Sequence, residues 1–235
     1  MKFKTVFIVL ACVLSLQQTA FSETVREPDP QKILVFGGKT GWIGQMFVKY
    51  LQEHNYLVFA AESRMENRSE VEQEIQSIVP DFIINCAGVT GRPNVDWCED
   101  HKLETIRTNI IGTLNLVDLA ALHQIHLTNV STGCIFEYDA DHPMGSGIGF
   151  TEEDKPNFDG SFYSKTKGIL EELLISYPNL LNLRVRMPIS DDLHPRNFIT
   201  KISRYQKVVN VPNSMTILDD LIPIAVDMTL KKVTG

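Results

Sequence analysis

Residues 32–54 read KILVFGGKTGWIGQMFVKYLQEH, and the order of their parts decides the architecture. Lys32 to Phe36 is a short apolar run that stops at glycines, and from Gly41 onward apolar residues return at helical spacing. Gly38, Gly41 and Gly44 form G-x-x-G-x-x-G at the junction. Tight turning, and close approach of a pyrophosphate to a helix N-terminus, both need residues without side chains there. Strand, glycine turn and helix in that order predict a dinucleotide-binding unit, with Trp42 and Ile43, between the last two glycines, also placed at the cofactor.

The rest of the chain repeats the alternation. NYLVFAA (55–61), DFIINCAG (81–88), IHLTNVST (125–132) and LLNLRVRMP (180–188) read as strands. SEVEQEIQSIV (69–79), HKLETIRTNIIGTLNLVDLAALHQ (101–124) and SKTKGILEELLISY (164–177) read as helices, and Thr216 followed by Asp219 looks like one more helix start. Strands separated by helices predict an α/β fold, a doubly wound parallel sheet of the Rossmann type with its ligand crevice at the strand C-termini.

Composition narrows the partners. A net charge of -7 leaves no basic excess to neutralise a phosphate backbone, so no nucleic-acid partner is expected. Residues 1–22 place Lys2 and Lys4 ahead of an apolar run, with Ala20 and Ser22 before Glu23, the pattern of a secretory signal peptide. Polar residues 23–31, with two prolines, read as a linker, and 32–235 as the domain. No segment offers the roughly 20 apolar residues of a membrane span. Loss of the leader would remove Cys12 and leave Cys86, Cys98 and Cys134, which form no disulfide framework. Asp96, Cys98, Glu99 and His101 match no zinc spacing, and no metal is expected. Of two glycosylation-type triplets, the one at Asn129 falls in a strand that reads as buried.

Candidate site residues collect at the strand ends. After the second strand, Glu62 would suit the ribose hydroxyls of NADH, whereas Arg64, with Arg68 behind it, favours NADPH. Asn85, Ala87 and Gly88 close the third strand where small residues let a cofactor pass, and Cys86 among them reads as a buried small residue. Arg92 lies on the loop beyond, within reach of an anionic substrate group. Tyr163 and Lys167, at i and i+4, share a helix face, and Thr132 ends the fourth strand across the crevice. A phenol is a poor acid-base group near neutrality, but an adjacent ammonium favours the phenolate and a hydroxyl shares the hydrogen bond to a reacting oxygen.

These motifs together resemble the extended short-chain dehydrogenase/reductases. Longer stretches, among them GKTGWIG, NCAGVTGRPNVDWCE, TGCIFEYD, GSFYSKTK, LRVRMPIS and PRNFITKI, are similar to the nucleotide-rhamnose epimerase-reductases. The resemblance runs from about Lys32 to the end of the chain. It implies a nucleotide-linked 4-keto-6-deoxyglucose substrate, epimerised at C3 and C5 and then reduced at C4 with NADPH. It also implies Cys134 and Lys201 as the epimerisation pair, Asn197 as a substrate contact, and Thr132, Tyr163 and Lys167 as the reductase triad. Tyr163 would give up its proton, with Lys167 holding the nicotinamide ribose and lowering the phenol. Family members work in the cytoplasm and continue past the point matching Gly235, so the substrate lobe is expected to be incomplete; a homodimer is the assembly considered for the chain. A ketone reductase without epimerase activity, or a non-catalytic dinucleotide-binding subunit, are the alternative functions.

Overall fold

The computed structural model describes residues 30–208 and 210–235. The leader read at 1–22, and all of the linker but Pro30 and Gln31, lie outside the described residues. Along the chain run β1 (Lys32–Phe36), α1 (Trp42–Glu53), β2 (Leu57–Ala60), α2 (Arg68–Ile78), β3 (Phe82–Asn85), α3 (Trp97–Asp100), α4 (Lys102–Ile106), α5 (Thr113–Leu122), β4 (His126–Thr132), α6 (Phe162–Leu174), β5 (Leu180–Val185), α7 (Phe198–Ile202) and α8 (Leu218–Leu230). The strands pair in parallel in the order β2-β1-β3-β4-β5, which places the topological switch point between β1 and β3. Among the described residues no helix is long and apolar enough to cross a membrane.

Strand periodicity builds the three layers. In β1, Ile33 and Val35 face one side and pack with Phe47 and Leu51 of α1 and Ile222 and Val226 of α8. Leu34 and Phe36 face the other and pack with Val71 and Ile75 of α2, Leu116 and Leu119 of α5, and Leu170 of α6. Both faces are covered, so the strands are near-continuous apolar runs, as parallel sheets require. The stretch read as one long helix is helical from Lys102 to Leu122, but with a π-helical turn at Arg107–Gly112 joining α4 to α5.

The last helix starts differently from its sequence pattern. Thr216 does not cap it: its hydroxyl accepts from the Arg186 N–H (3.0 Å) and its own N–H donates to the Arg186 carbonyl (2.8 Å). Ile217 occupies the cap position without a side-chain hydrogen bond. Long-range hydrogen bonding to Arg186 took the residue that the local pattern assigned to the cap.

The first turn is sterically closed. Gly37 has φ +78, and a Cβ there would stand 2.9 Å from the Ala87 nitrogen. A Cβ at Gly44 would stand 2.3 Å from the Gly37 carbonyl oxygen. Gly44→Ala is therefore expected to destabilise the fold by about 1–3 kcal/mol in denaturant unfolding. Gly149→Ala, where an added Cβ meets nothing within 4 Å, should cost nothing measurable.

Candidate active site

Tyr163 and Lys167 lie one turn apart on the buried face of α6, 5% and 6% exposed, at the head of a stripe that continues through Leu170 and Leu174 into the core. Two contacts fix where this helix starts. The Ser161 hydroxyl caps it by accepting from the Ser164 N–H (3.1 Å), and the Glu99 carboxylate accepts from the Phe162 N–H (2.6 Å). Across the crevice β4 ends at Thr132, whose hydroxyl accepts from the Cys134 N–H (3.1 Å) and whose side chain lies near enough to the Tyr163 phenol to favour its ionised form. Cys134 stands close enough for its charge to act on that phenol. Thr132, Cys134 and Tyr163 are thus brought to one point by a strand end and a helix start distant in sequence.

The electrostatics correct one expectation. Burial pushes the Tyr163 phenol well up, and the neighbouring Cys134 adds to the rise, while the Thr132 side chain opposes it. The net direction in the protein alone is upward, opposite to the lowering expected from the Lys167 ammonium. Lys167 itself is pulled down to about 8 by burial, with Glu171 acting the other way. The site therefore holds a neutral phenol, which is a proton donor rather than a base.

Gly88 is where β3 meets this pair. A Cβ on Gly88 would lie 3.4 Å from the Asn109 Oδ1 and 3.7 Å from the Lys167 Nζ. Asn109, in the π-helical turn, accepts from the Val89 N–H and donates to the Val89 carbonyl, both at 2.8 Å, and so fixes the loop. Asn85 was expected at the cofactor, but its buried amide is engaged structurally. Oδ1 accepts from the Ala87 N–H (2.9 Å) and Nδ2 donates to Asn129 (2.9 Å), which donates in turn to Asn182 (2.7 Å). Three asparagines at one register level cross β3, β4 and β5, so Asn85 shapes the Ala87–Gly88 turn from beneath it. The buried Asn129 has no room for a glycan, and burial pushes the Cys86 thiol far up, consistent with an inert packed residue.

At the other end of the crevice, Gly41 caps α1 without a side-chain oxygen, so the first N–H groups of the helix, at Trp42, Ile43 and Gly44, are open to an anion. The Trp42 indole points elsewhere, donating to Asp192 (2.9 Å) and stacking on His194, and only its main chain faces the turn. Beyond β2, Glu62 pairs with Lys39 of the glycine turn, while Arg64 is exposed at the strand end. Arg68 is turned away and paired with Asp118 (2.5 Å), so it does not back Arg64 as expected.

Arg92 lines a cavity of about 320 Å³ together with Gly88, Thr90, Trp97 and Arg196. Arg196 donates to the Thr90 hydroxyl (3.3 Å) and its charge, after burial, lowers the α7 residue Lys201. Asn197 has a different job from the expected substrate contact. It is 1% exposed, caps α7 through the Ile199 N–H (3.0 Å), and donates to the carbonyls of Ser190 and Asp192. It positions Lys201 by starting the helix that carries it.

The family model described as RmlD substrate binding domain matches residues 31–222. The chain belongs to this RmlD family. Among its relatives, the trifunctional UDP-glucose 4,6-dehydratase/UDP-4-keto-6-deoxy-D-glucose 3,5-epimerase/UDP-4-keto-L-rhamnose-reductase of Arabidopsis thaliana is 58% identical over 205 residues, 87% of this chain and 30% of that protein. The bifunctional dTDP-4-dehydrorhamnose 3,5-epimerase/dTDP-4-dehydrorhamnose reductase of the same plant is 58% identical over 199 residues, 84% of this chain and 66% of that protein. The RmlD chain described here thus spans under two thirds of either. A solved UDP-rhamnose synthase from Acanthamoeba polyphaga mimivirus superposes with TM-score 0.83 at 42% identity, covering 88% of this chain and 73% of that one. A dTDP-4-dehydrorhamnose reductase from Bacillus anthracis in complex with NADP shares the fold, with TM-score 0.75 at 20% identity, over 89% of this chain and 74% of that one.

Sequence reasoning did not single out Gly37, Asn109, Arg196 or the asparagine ladder. A polar Asn109 inside an apolar helical run was the one available signal, since a buried amide needs a partner. Lys167 gives the site a testable titration. Below about pH 8 the folded and unfolded chains both hold its proton, whereas between about 8 and the ordinary 10.5 only the unfolded chain does, so stability rises with pH across that window. Relative to Lys167→Met, the wild type should gain about 3 kcal/mol over that window, read from urea unfolding at a series of pH values.

Proposed function

We propose that the chain converts a nucleotide-linked 4-keto-6-deoxyglucose to nucleotide-L-rhamnose, by 3,5-epimerisation followed by NADPH-dependent reduction of the C4 ketone. The observation that carries this reading is the meeting of Thr132, Cys134 and Tyr163 at the crevice, with Lys167 buried one turn further along α6. The activities named for the plant relatives and the mimivirus synthase support the substrate class.

The chemistry follows from the ketone. Protons on C3 and C5 are acidified by the flanking carbonyl, so a base can remove each and an acid on the opposite face can return it through an enolate. Cys134 takes the base role and Lys201 the acid role. The Thr132 hydroxyl and the Tyr163 phenol hydrogen-bond the C4 oxygen as charge develops on it. Bound NADPH supplies the hydride to C4. Tyr163, kept neutral by burial, gives its proton to the resulting alkoxide, and Lys167 is placed to hold the ribose next to Gly88. The open N-terminus of α1 suits the pyrophosphate, and with Glu62 taken by Lys39, exposed Arg64 suits the additional phosphate of NADPH. Export through the leader pattern at 1–22 would place this chemistry in the secretory pathway; a chain that is not exported would perform it in the cytoplasm.

Incubation with the keto-sugar in deuterated solvent without NADPH should place deuterium at C3 and C5. Tyr163→Phe should slow that exchange, since Thr132 alone then donates to the enolate oxygen, and should lose ketone reduction by about a hundredfold or more. Reduction without exchange would reduce the assignment to a ketone reductase, and NADPH binding without either would make the chain a binding subunit. Arg64→Ala should raise the KM for NADPH about tenfold and leave that for NADH unchanged, measured in steady-state kinetics.

A further inference from the structure

We propose that Arg186 is a positioning residue for Cys134, its guanidinium holding the sulfur as a thiolate that faces the reacting sugar. This deepens the epimerase reading above and rests on it. Arg186 directly follows β5, and its Nη1 is in direct contact with the Cys134 Sγ. A donor that keeps its positive charge at all accessible pH values stabilises the ionised form of a sulfur it touches.

The guanidinium is aimed from several sides. Its Nε donates to the Asn213 Oδ1 (2.9 Å), and its main chain pairs with Thr216 through both N–H and carbonyl. Its stem lies against Gly133, where an added Cβ would stand 3.5 Å from the Arg186 Cβ. The chain turns sharply just after it, at Met187 with φ 40.

Its partners also leave its charge available. Arg184, two residues earlier, is neutralised by Glu171 at 2.5 Å. The side-chain partners of Arg186 among the described residues are Cys134 and the neutral Asn213, with no carboxylate between them. Tyr163 of α6 also acts on Cys134, and burial keeps it neutral, so it does not offset the guanidinium.

In the epimerisation step the thiolate takes a proton from the sugar carbon. The electron pair of that C–H bond moves into the ring, and the charge settles on the C4 oxygen beside Thr132 and Tyr163. The sulfur is then a neutral thiol, and the Lys201 ammonium returns a proton from the opposite face. No oxidant or reductant is needed.

The test measures thiolate ultraviolet absorbance as the difference between a protein and its Cys134→Ser counterpart, which cancels the remaining cysteines and tyrosines. The wild type should show a thiolate signal at neutral pH. Arg186→Gln should lose about nine tenths of it, and Arg186→Lys should recover part, since an adjacent opposite charge changes the ionisation balance by about tenfold or more. Deuterium exchange at C3 and C5 should fall by a similar factor in Arg186→Gln and show a more alkaline pH profile. A wild type without a neutral-pH thiolate signal overturns the proposal without any arginine variant. So does a folded Arg186→Gln protein with the wild-type signal. A signal that responds to Arg186 while no variant, nor the wild type, exchanges deuterium keeps the pairing of arginine and sulfur and removes the epimerase role of Cys134.

Discussion

The carbonyl of Gly37 is the point around which the crevice is built. It accepts from the Gly41 N–H (3.0 Å), and Gly41 and Gly44 approach it so closely that an added Cβ at either would collide with it, at 2.7 and 2.3 Å. Gly37 itself is pressed against the chain leaving β3 at Cys86 and Ala87. One peptide group therefore sets the distance between β1, the start of α1 and the end of β3. With the sheet parallel, the ends of β1, β3 and β4 lie on one edge, so this constraint also sets the floor of the site. The glycines are needed by the protein's own backbone first, and the open helix N-terminus results from that packing.

Above this floor the site is a balance of desolvation against a few directed contacts. Burial raises the phenol of Tyr163 and lowers the ammonium of Lys167, so both lean toward their neutral forms. That suits the proton-donor role proposed for Tyr163, because a phenolate would have no proton to give. The cost of burying polar groups nearby is limited by pairing them. Asn85, Asn129 and Asn182 hydrogen-bond in sequence across three strands, and Asn109 satisfies both main-chain groups of Val89. Glu171 accepts from Arg184, which also holds the Thr151 carbonyl (2.8 Å) and ties the loop before α6 to the sheet.

A second set of contacts joins segments far apart in the chain. Trp42 of the first helix donates to Asp192, Arg196 reaches Thr90, and Thr216 pairs with Arg186. These contacts place the loop after β5, with α7 and Lys201, over the strand ends. The loop carries little regular structure of its own, and its course depends on the crevice it covers. Asn197 and Thr216 illustrate the result: each is used where tertiary pairing needs it, and only Asn197 serves as a helix cap.

The sequence by itself determined the alternation of five strands with helices, the glycine turn after β1, the positions of Thr132, Tyr163 and Lys167, and the family to which these motifs belong. Such features are local: a strand or helix period, a turn that only glycine can make, and an i, i+4 pair each show in a short window. The direction of the tyrosine's titration, the structural use of Asn85 and Asn197, the diversion of Arg68 to Asp118 and the contact of Arg186 with Cys134 were decided only by the tertiary structure. Burial and long-range pairing fix them, and both depend on which distant residues the folded sheet brings within hydrogen-bond distance.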